Sequence, residues 1–350
     1  MDFTFTEEQD AAADLARRSC RGRTPGYPTG FDRELWQQAN EAGLLTLHLP
    51  EPHGTGLGMI AACRALIEFG RAAAAIPAAA QVAATAVLAE STAAERLAEA
   101  PIVLPALAEN TDAAPNLPAV TARAANGWVL EGHKTVVPHG AVADLWLVTA
   151  TDPDGPAVFL VTPDDGVRVT EDTATGGLPV AHLDLTGVEL PADRRLGGAE
   201  VALRLRRALT LTTAAVQYGV SQRALELTAD YTAEREQFDQ PLGAFQAVRQ
   251  RLGDAYIDLG CQRLTLWQAA WRWEAGVPLG SAVETAGYWA AEGGNLIAHS
   301  AVHLHGGAGV DLDGAAHHYF TATKQLEFTV GGATRQALEI GDIMAAGSIA

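Results

Sequence analysis

The chain has 350 residues, of which 48% are hydrophobic, and carries a formal net charge of −18. This length is sufficient for two or three domains with a sizeable core. So acidic a chain repels phosphate backbones, which argues against nucleic acid as a partner. The first residues are acidic, and no uncharged apolar run reaches about 18 residues, so neither a signal peptide nor a membrane-spanning helix is predicted.

Cysteine and histidine spacing bears on disulfides and metals. The cysteines are scattered, at Cys20, Cys63 and Cys261. Their odd number and wide spacing argue against a disulfide framework and predict a protein of the reducing cytoplasm. Histidines cluster late in the chain, at His303, His305, His317 and His318. None has another of this group four residues away, and there is no His-Glu-x-x-His segment, so no metal site is predicted.

Helical patterns fill the first hundred residues. Thr6 and Gln9 have the spacing of a capping box, which predicts a helix start. Three further helices are predicted, over 32–42, 59–74 and 77–100. We therefore predict an amino-terminal α-helical domain over residues 1–100.

The pattern changes near residue 101. Short runs rich in β-branched residues alternate with Gly, Pro, Asp and Asn, which is typical of strands joined by turns. The runs cover 119–122, 128–131, 145–149, 157–161, 167–170 and 183–185. We predict a small antiparallel β-domain over residues 101–199.

From residue 200 onward the pattern is again helical, in long segments. The segments cover 200–234, 242–275, 280–303 and 315–346, with a possible break at Gly331 and Gly332. Long helices with short connections predict an antiparallel four-helix bundle over 200–350. The expected fold class is therefore α+β, mostly α, in the order helices, β-domain and bundle.

Two segments of the predicted bundle are the most informative. The first, Arg-Glu-Gln-Phe-Asp-Gln-Pro-Leu-Gly-Ala-Phe-Gln, runs from Arg235 to Gln246. The second, His-Leu-His-Gly-Gly-Ala-Gly, begins at His303. Each alone has an ordinary interpretation, because a cation suits a helix end and glycines end helices. Glycines also let a backbone approach a phosphate closely, although the second segment is neither a P-loop nor a Rossmann fingerprint.

Together the two segments resemble the acyl-CoA dehydrogenase family. That family combines Arg-x-Gln-Phe-x-x-Pro-Leu-x-x-Phe-Gln with His-Gly-Gly-x-Gly about sixty residues later, as this chain does. Gly132-His133-Lys134 and Ala143-Asp144 are similar to the family's Gly-x-Lys and Ala-Asp, and the domain order is the same. The resemblance implies FAD as cofactor, an acyl-CoA as substrate, and an oligomer whose subunits share each FAD.

The resemblance also implies roles for single residues. Arg235, Gln237 and Phe238 would contact the pyrophosphate and adenine side of FAD, with Gln246 nearby. His303, Gly306 and Gly307 would meet the diphosphate and ribose. The family usually has Gln where this chain has His303, and imidazole can still donate one hydrogen bond.

The expected catalytic base does not occur in the sequence. The family's chemistry removes a proton from the α-carbon with a carboxylate. Counted from Gly306, the usual glutamate position falls at Val330, and an alternative position in the first bundle helix falls at Leu209. No catalytic residue is therefore assigned to this chain; Glu327 is the best remaining acid.

The half of the site that would hold the flavin ring is also eroded. Only fragments of the family's Thr-Glu-Pro-x-x-Gly-Ser-Asp loop remain over 108–112, and the aromatic and threonine positions that flank the ring are Val136 and Pro138. This pattern resembles the shorter, base-lacking chain of heteromeric acyl-CoA dehydrogenases in bacterial steroid side-chain degradation. The resemblance implies a homologous catalytic partner chain, in an α2β2 heterotetramer.

Three hypotheses remain open from the sequence. The chain is a base-lacking subunit of a heteromer, or a self-sufficient homo-oligomeric flavoenzyme with a displaced base such as Glu327, or a non-enzymatic relic that binds acyl-CoA or a partner. Ala214, Ala215 and Gly219 either leave room for a bulky acyl chain or let helices pack closely.

Overall fold

The computed structural model describes residues 4–23, 29–99, 101–110, 112–174, 176–312 and 314–347. Within these ranges there are nine α-helices and twelve β-strands. The helices are α1 (Glu7–Ser19), α2 (Arg33–Glu41), α3 (Gly58–Arg71), α4 (Ala78–Leu88), α5 (Ala199–Glu234), α6 (Gln246–Glu274), α7 (Ala282–His305), α8 (Ala315–Thr329) and α9 (Gly332–Ala345). The strands are β1 (Val103–Ala106), β2 (Thr121–Ala125), β3 (Gly127–Glu131), β4 (His133–Pro138), β5 (Leu145–Asp152), β6 (Gly155–Val161), β7 (Arg168–Thr173), β8 (Pro179–Asp184), β9 (Val188–Leu190), β10 (Arg195–Gly197), β11 (Glu236–Gln237) and β12 (Gln240–Pro241).

The described residues group into two compact units. The helical unit contains the described residues of 4–23, 59–75 and 213–347. The mixed unit contains those of 29–58 and 76–212, including β1 to β10. The expected fold class, α+β and mostly α, is confirmed, and the three domain boundaries given above stay a prediction.

Local signals explain where several helices begin and end. The capping box predicted for α1 is present: Gln9 N donates to Thr6 Oγ1 at 3.3 Å, and Thr6 N donates to Gln9 Oε1 at 3.1 Å. The predicted break at Gly331 and Gly332 is also present, because Gly331 has a φ of 89° between α8 and α9. Both features depend on neighbours in sequence, which is why they could be predicted.

Two predicted helix bounds were wrong. The helix predicted over 77–100 ends at Leu88 and is followed by a separate 3-10 turn, Ala94–Glu99. Ser91 Oγ donates to Leu88 O at 2.7 Å and accepts from Ala93 N at 3.2 Å, so its hydroxyl competes with the helical backbone bonds. The helix predicted from residue 242 begins at Gln246, because Leu242–Ala244 forms a 3-10 turn first.

The mixed unit has a seven-stranded sheet and a three-stranded sheet. The larger sheet runs β10-β6-β5-β2-β3-β9 with β1 against β5, and the smaller runs β4-β8-β7. Most pairs are antiparallel, as predicted, but both β1 and β2 pair with β5 in parallel. Other strands separate each of them from β5 in sequence, so no hairpin forces an antiparallel arrangement.

In the helical unit, glycines allow α3 and α5 to cross at backbone contact. A Cβ at Gly219 would lie 2.1 Å from the carbonyl oxygen of Ile67. A Cβ at Gly70 would lie 2.1 Å from the carbonyl oxygen of Val216. Gly219 therefore serves close helix packing, which favours that interpretation of the small residues on α5 over room for an acyl chain.

Candidate cofactor-binding site

The segment after α5 folds into a tight hairpin. Strands β11 and β12 pair Glu236 with Pro241 and Gln237 with Gln240. The two turn residues, Phe238 and Asp239, have φ values of 56° and 63°. Both are left-handed, as a two-residue hairpin turn of this hand requires.

The hairpin presents its side chains outward. Phe238 is 87% exposed and its ring meets that of Phe245 edge to face, with the ring centroids 6.2 Å apart. Arg235 is exposed, and its guanidinium forms no ion pair with any residue of the described ranges. Gln237 is also exposed, and its Nε2 donates to Glu236 O at 2.7 Å. An exposed ring and an unpaired cation are therefore held side by side on a short, stiff loop.

The start of α6 adds a second polar feature. Gln246 is its first residue and is exposed. The preceding residue, Phe245, offers no side-chain cap, so the first N–H groups of the helix have no side-chain acceptor there. Helix N-termini of this kind carry partial positive charge and attract anions.

The glycine segment ends α7 and turns the chain away. Gly306 has φ 61° and ψ −134°, a conformation that a residue with a Cβ rarely adopts, so glycine is required there. Gly306 and Gly307 are exposed, and a Cβ at either would meet no atom within 4 Å. His303 is exposed in the last turn of α7. The backbone of this turn is thus open to close approach by a ligand.

An aromatic contact joins the end of α5, before the hairpin, to the end of α7, before the glycine turn. The ring of Tyr231 stacks on that of His305, with centroids 4.4 Å apart and planes inclined by 20°. The Tyr231 hydroxyl also donates to the His305 carbonyl oxygen at 3.5 Å. Arg235 lies one turn beyond Tyr231, and Gly306 directly follows His305, so the two predicted segments emerge at one end of the helical unit.

Sequence reasoning missed the contact between Tyr231 and His305. Tyr231 lies four residues before Arg235, and His305 directly precedes the glycines. Their position beside the two motifs was a usable signal, but an aromatic residue in a helical pattern is usually read as core.

This end of the unit fits an anionic ligand with aromatic rings. Arg235 supplies an unpaired guanidinium, α6 supplies an uncapped N-terminus, and the glycine turn supplies accessible backbone. Guanidinium groups and helix N-termini are common phosphate ligands in proteins. Phe238 provides an exposed ring that could pack against a planar group.

The expected base positions are buried and apolar. Val330 is 4% exposed and Leu209 is 6% exposed, and neither side chain can accept a proton. Val330 is the residue between α8 and the positive-φ Gly331, and its carbonyl oxygen accepts from Gln336 Nε2 at 3.0 Å.

Glu327, the alternative acid, is held by a lysine on its own helix. Lys324 Nζ lies 3.0 Å from Glu327 Oε2, and both side chains are partly buried. Lys324 also donates to the side-chain oxygen of Asn295 on α7. This geometry favours a structural ion pair for Glu327.

The Gly-x-Lys segment of the mixed unit forms a buried polar cluster. Lys134 is completely buried, and its Nζ donates to Glu109 Oε1 at 2.7 Å, Thr149 Oγ1 at 3.0 Å and Leu107 O at 3.1 Å. Burial lowers the pKa of Lys134 to about 8, opposed by the Glu109 charge. All three ammonium hydrogens have acceptors within the fold, so this cluster is structural.

The eroded segment over 108–112 contributes Glu109 to that cluster. Glu109 also accepts backbone bonds from Ala119 at 2.6 Å and Val120 at 3.1 Å. Thr111 lies outside the described residues. The carboxylate that remains in this loop therefore organises the loop and the lysine.

In the described part of the chain, no helix combines the length and apolar character needed to cross a bilayer. Among the same residues, no three His, Cys, Asp or Glu side chains are grouped so that they could bind a metal.

Comparison with known proteins gives consistent matches along the chain. The family model "Acyl-CoA dehydrogenase, N-terminal domain" matches residues 6–99, and "Acyl-CoA dehydrogenase, C-terminal domain" matches residues 197–344. The acyl-CoA dehydrogenase FadE27 of Mycobacterium tuberculosis is 43% identical over 330 residues, which cover 89% of this chain and 88% of FadE27.

Solved structures match over nearly the whole length. A chain of the ChsE4-ChsE5 complex from Mycobacterium tuberculosis is 41% identical with a TM-score of 0.90, covering 99% of both chains. A chain of a variant of the Tcur3481-Tcur3483 steroid ACAD is 38% identical with a TM-score of 0.91, covering 98% of this chain and 99% of that chain.

Proposed function

Because the chain belongs to the acyl-CoA dehydrogenase family, we propose that it is the base-lacking subunit of a heteromeric, FAD-dependent acyl-CoA dehydrogenase. The observation that carries this proposal is a contrast within the helical unit. Its predicted FAD-contacting residues are exposed around one end, whereas the base positions hold Val330 and Leu209. Such a chain contributes binding groups to a site whose base comes from elsewhere.

The partner is a homologous chain that carries the glutamate. Support comes from the similarity of this chain to a chain of the ChsE4-ChsE5 complex and to a chain of the Tcur3481-Tcur3483 steroid ACAD. We propose an α2β2 heterotetramer. The substrate class is an acyl-CoA, and the steroid ACAD among the similar structures supports a steroid side-chain CoA thioester. We also propose that the protein is located in the reducing cytoplasm, because none of its three cysteines forms a disulfide.

Each predicted residue has a binding task in this proposal. FAD, when bound, supplies the acceptor for the hydride that leaves the β-carbon. Arg235 and Gln237 hold the pyrophosphate, and Phe238 packs at the adenine side. Gln246, His303, Gly306 and Gly307 complete the diphosphate and ribose contacts. The partner's carboxylate removes the α-proton, and this chain orients the cofactor and helps to exclude water.

Purification alone and with a partner tests the proposal. The full chain should be nearly colourless when expressed alone. Coexpressed with a longer homologous chain that carries the glutamate, it should give a yellow complex that a steroid acyl-CoA bleaches. If the chain alone is yellow, stoichiometric in flavin and bleached by an acyl-CoA, it is a self-sufficient enzyme. A stable complex without flavin would instead support the relic hypothesis.

A further inference from the structure

A second concave site lies in the helical unit. It is a groove of about 560 Å³ bordered by α1, α3, α5 and α6 together with Phe5. That volume is in the range of small-molecule sites in proteins. None of the residues predicted to contact FAD lines it.

The groove has the opposite charge to the whole chain. Six side chains that are charged at neutral pH line it: Arg17, Arg64, Arg71, Arg263, Glu68 and Glu226. Four guanidinium groups and two carboxylates give a net charge of about +2 at neutral pH. In a chain with a net charge of −18, this local excess requires an explanation.

The two acids are already engaged by two of the arginines. Arg17 binds Glu68 through both terminal oxygens, at 3.1 and 2.9 Å. Arg71 binds Glu226 in the same two-point manner, at 2.8 and 2.9 Å. Glu68 also lies 3.8 Å from Arg71, so the four groups form one continuous chain of ion pairs. No carboxylate of the groove lining is left for the other two arginines.

The two remaining arginines, Arg263 and Arg64, differ in their partners. The Arg263 guanidinium forms no ion pair with any residue that the structure describes. It lies near the Tyr218 hydroxyl, whose pKa is raised by burial and held back by the Arg263 charge. Arg64 pairs with the exposed Asp10, while its Nε is buried without a hydrogen-bond partner. Among the four arginines of the groove, Arg263 is therefore the one that remains available to an anion.

Aromatic rings form the apolar side of the groove. Phe5 meets Trp267 edge to face, with ring centroids 4.9 Å apart. The Arg64 guanidinium lies over the Phe5 ring at 4.3 Å. Leu264 is half exposed at the lip. Such a wall suits a flat apolar group more than a hydrated ion.

We propose that this groove binds a small anion with a planar apolar body, a carboxylate or a phosphate carried on a ring system. Arg263 receives the anion, and Phe5, Trp267 and Leu264 receive the apolar body. This site is separate from the proposed FAD-binding end, and its existence does not depend on the proposed dehydrogenase activity.

Calorimetric titration of the full-length chain tests the site with defined probes. The probes are 1-naphthyl phosphate, 2-naphthoate, 1-naphthol and inorganic phosphate. The two aromatic anions should bind saturably at one site, and the better of them identifies the preferred anion. Naphthol and inorganic phosphate should bind at least tenfold more weakly, because each supplies only half of the interaction. Affinity should fall with added salt.

Arg263→Gln is the decisive variant. Arg263 is exposed and unpaired in the described structure, so its replacement should not affect folding. Loss of a charge-assisted contact should weaken the aromatic anion by about 10- to 100-fold. Arg251→Gln is the matched control, because Arg251 is an exposed arginine on the same helix that does not line the groove. The Arg251→Gln variant should bind the aromatic anion with the same affinity as the unmodified chain.

Three outcomes would overturn the proposal. The first is no saturable binding of either aromatic anion. The second is equal weakening by Arg263→Gln and Arg251→Gln, which would indicate a diffuse charge effect. The third is absence of probe binding together with loss of complex formation in Arg263→Gln, which would assign the groove to a subunit interface.

Discussion

The helical unit and the mixed unit arrange their polar side chains in opposite ways. The comparison is between the interior of the mixed unit and the end of the helical unit that carries the hairpin and the glycine turn, called the open end below. At the open end, Arg235 has no ion-pair partner in the described structure and Phe238 is almost fully exposed. In the mixed unit, Lys134 is fully buried and all three of its N–H groups have acceptors. Both positions belong to motifs of the same family resemblance.

The difference separates binding residues from structural ones. Buried polar groups must be satisfied within the fold, because an unmade hydrogen bond there is costly. Exposed groups that remain unpaired have no such structural necessity and remain available to a ligand. A family motif therefore indicates binding only where the fold leaves its side chains unused.

The largest expected effect on stability comes from a substitution in the mixed unit. Lys134→Met should lower the free energy of unfolding by about 3–5 kcal/mol, because Glu109 loses its buried counter-ion. Lys324→Met is the matched control: it removes the only other lysine of the chain, which is partly exposed, and should cost about 1 kcal/mol or less. Urea unfolding followed by circular dichroism measures both. Equal losses would show that burial does not distinguish the two lysines.

Acid sensitivity should come from the same interior. Burial lowers the pKa of His139 to about 4, and neither ring nitrogen has a hydrogen-bond partner. The unfolded chain has a histidine pKa near 6.5, so it binds more protons between about pH 6.5 and 4. Stability is therefore complete above pH 6.5 and falls as the pH decreases through this range, by about 3 kcal/mol for this residue.

His139→Asn should remove this contribution and make the pH profile shallower, while His48, whose pKa burial also lowers to about 4, keeps its own contribution. Asparagine tolerates the left-handed backbone at this position, where φ is 54°. His133→Asn serves as the control for a histidine replaced at an exposed position of the same unit. The measurement is the urea midpoint at pH 7, 6, 5 and 4. An unchanged slope in His139→Asn would contradict the assignment.

At the open end, Arg235→Ala should affect binding and leave folding intact. Loss of a phosphate contact is worth about 1.5–3 kcal/mol, so the FAD affinity of the coexpressed complex should fall about 10- to 100-fold. Arg251→Ala, an exposed arginine within α6, should retain wild-type affinity. Flavin release on dilution measures the affinity. Unchanged flavin content with a lower melting temperature would make Arg235 a structural helix-end cation.

The smallest expected effect is at Glu327. Because this acid is paired with Lys324, Glu327→Gln should leave turnover of the complex within about twofold of the unmodified rate. Loss of a true general base should slow the reaction about 10²- to 10⁴-fold. Stopped-flow flavin reduction at saturating acyl-CoA measures the difference. A thousandfold slowing would identify Glu327 as a displaced base and this chain as an enzyme in its own right.

Much of the fold could be predicted because its signals are local. The α1 capping box, the α8–α9 break at Gly331 and the change from helical to strand patterns near residue 101 each depend on neighbouring residues. The motifs from Arg235 and from His303 were also recognisable in the sequence, and the family that they indicated was confirmed by the comparisons. The roles of their residues toward FAD stay predictions.

Other features were decided by contacts between residues far apart in sequence. Only the tertiary structure stacks Tyr231 on His305, buries Lys134 against Glu109 and pairs β1 with β5 in parallel. Only the tertiary structure also shows that Arg71 is paired with Glu226 whereas Arg263 has no ion pair in the described structure. Composition and spacing report which groups are present. Whether a charged group is satisfied or available depends on desolvation and on its neighbours in space, and these are set when the chain folds.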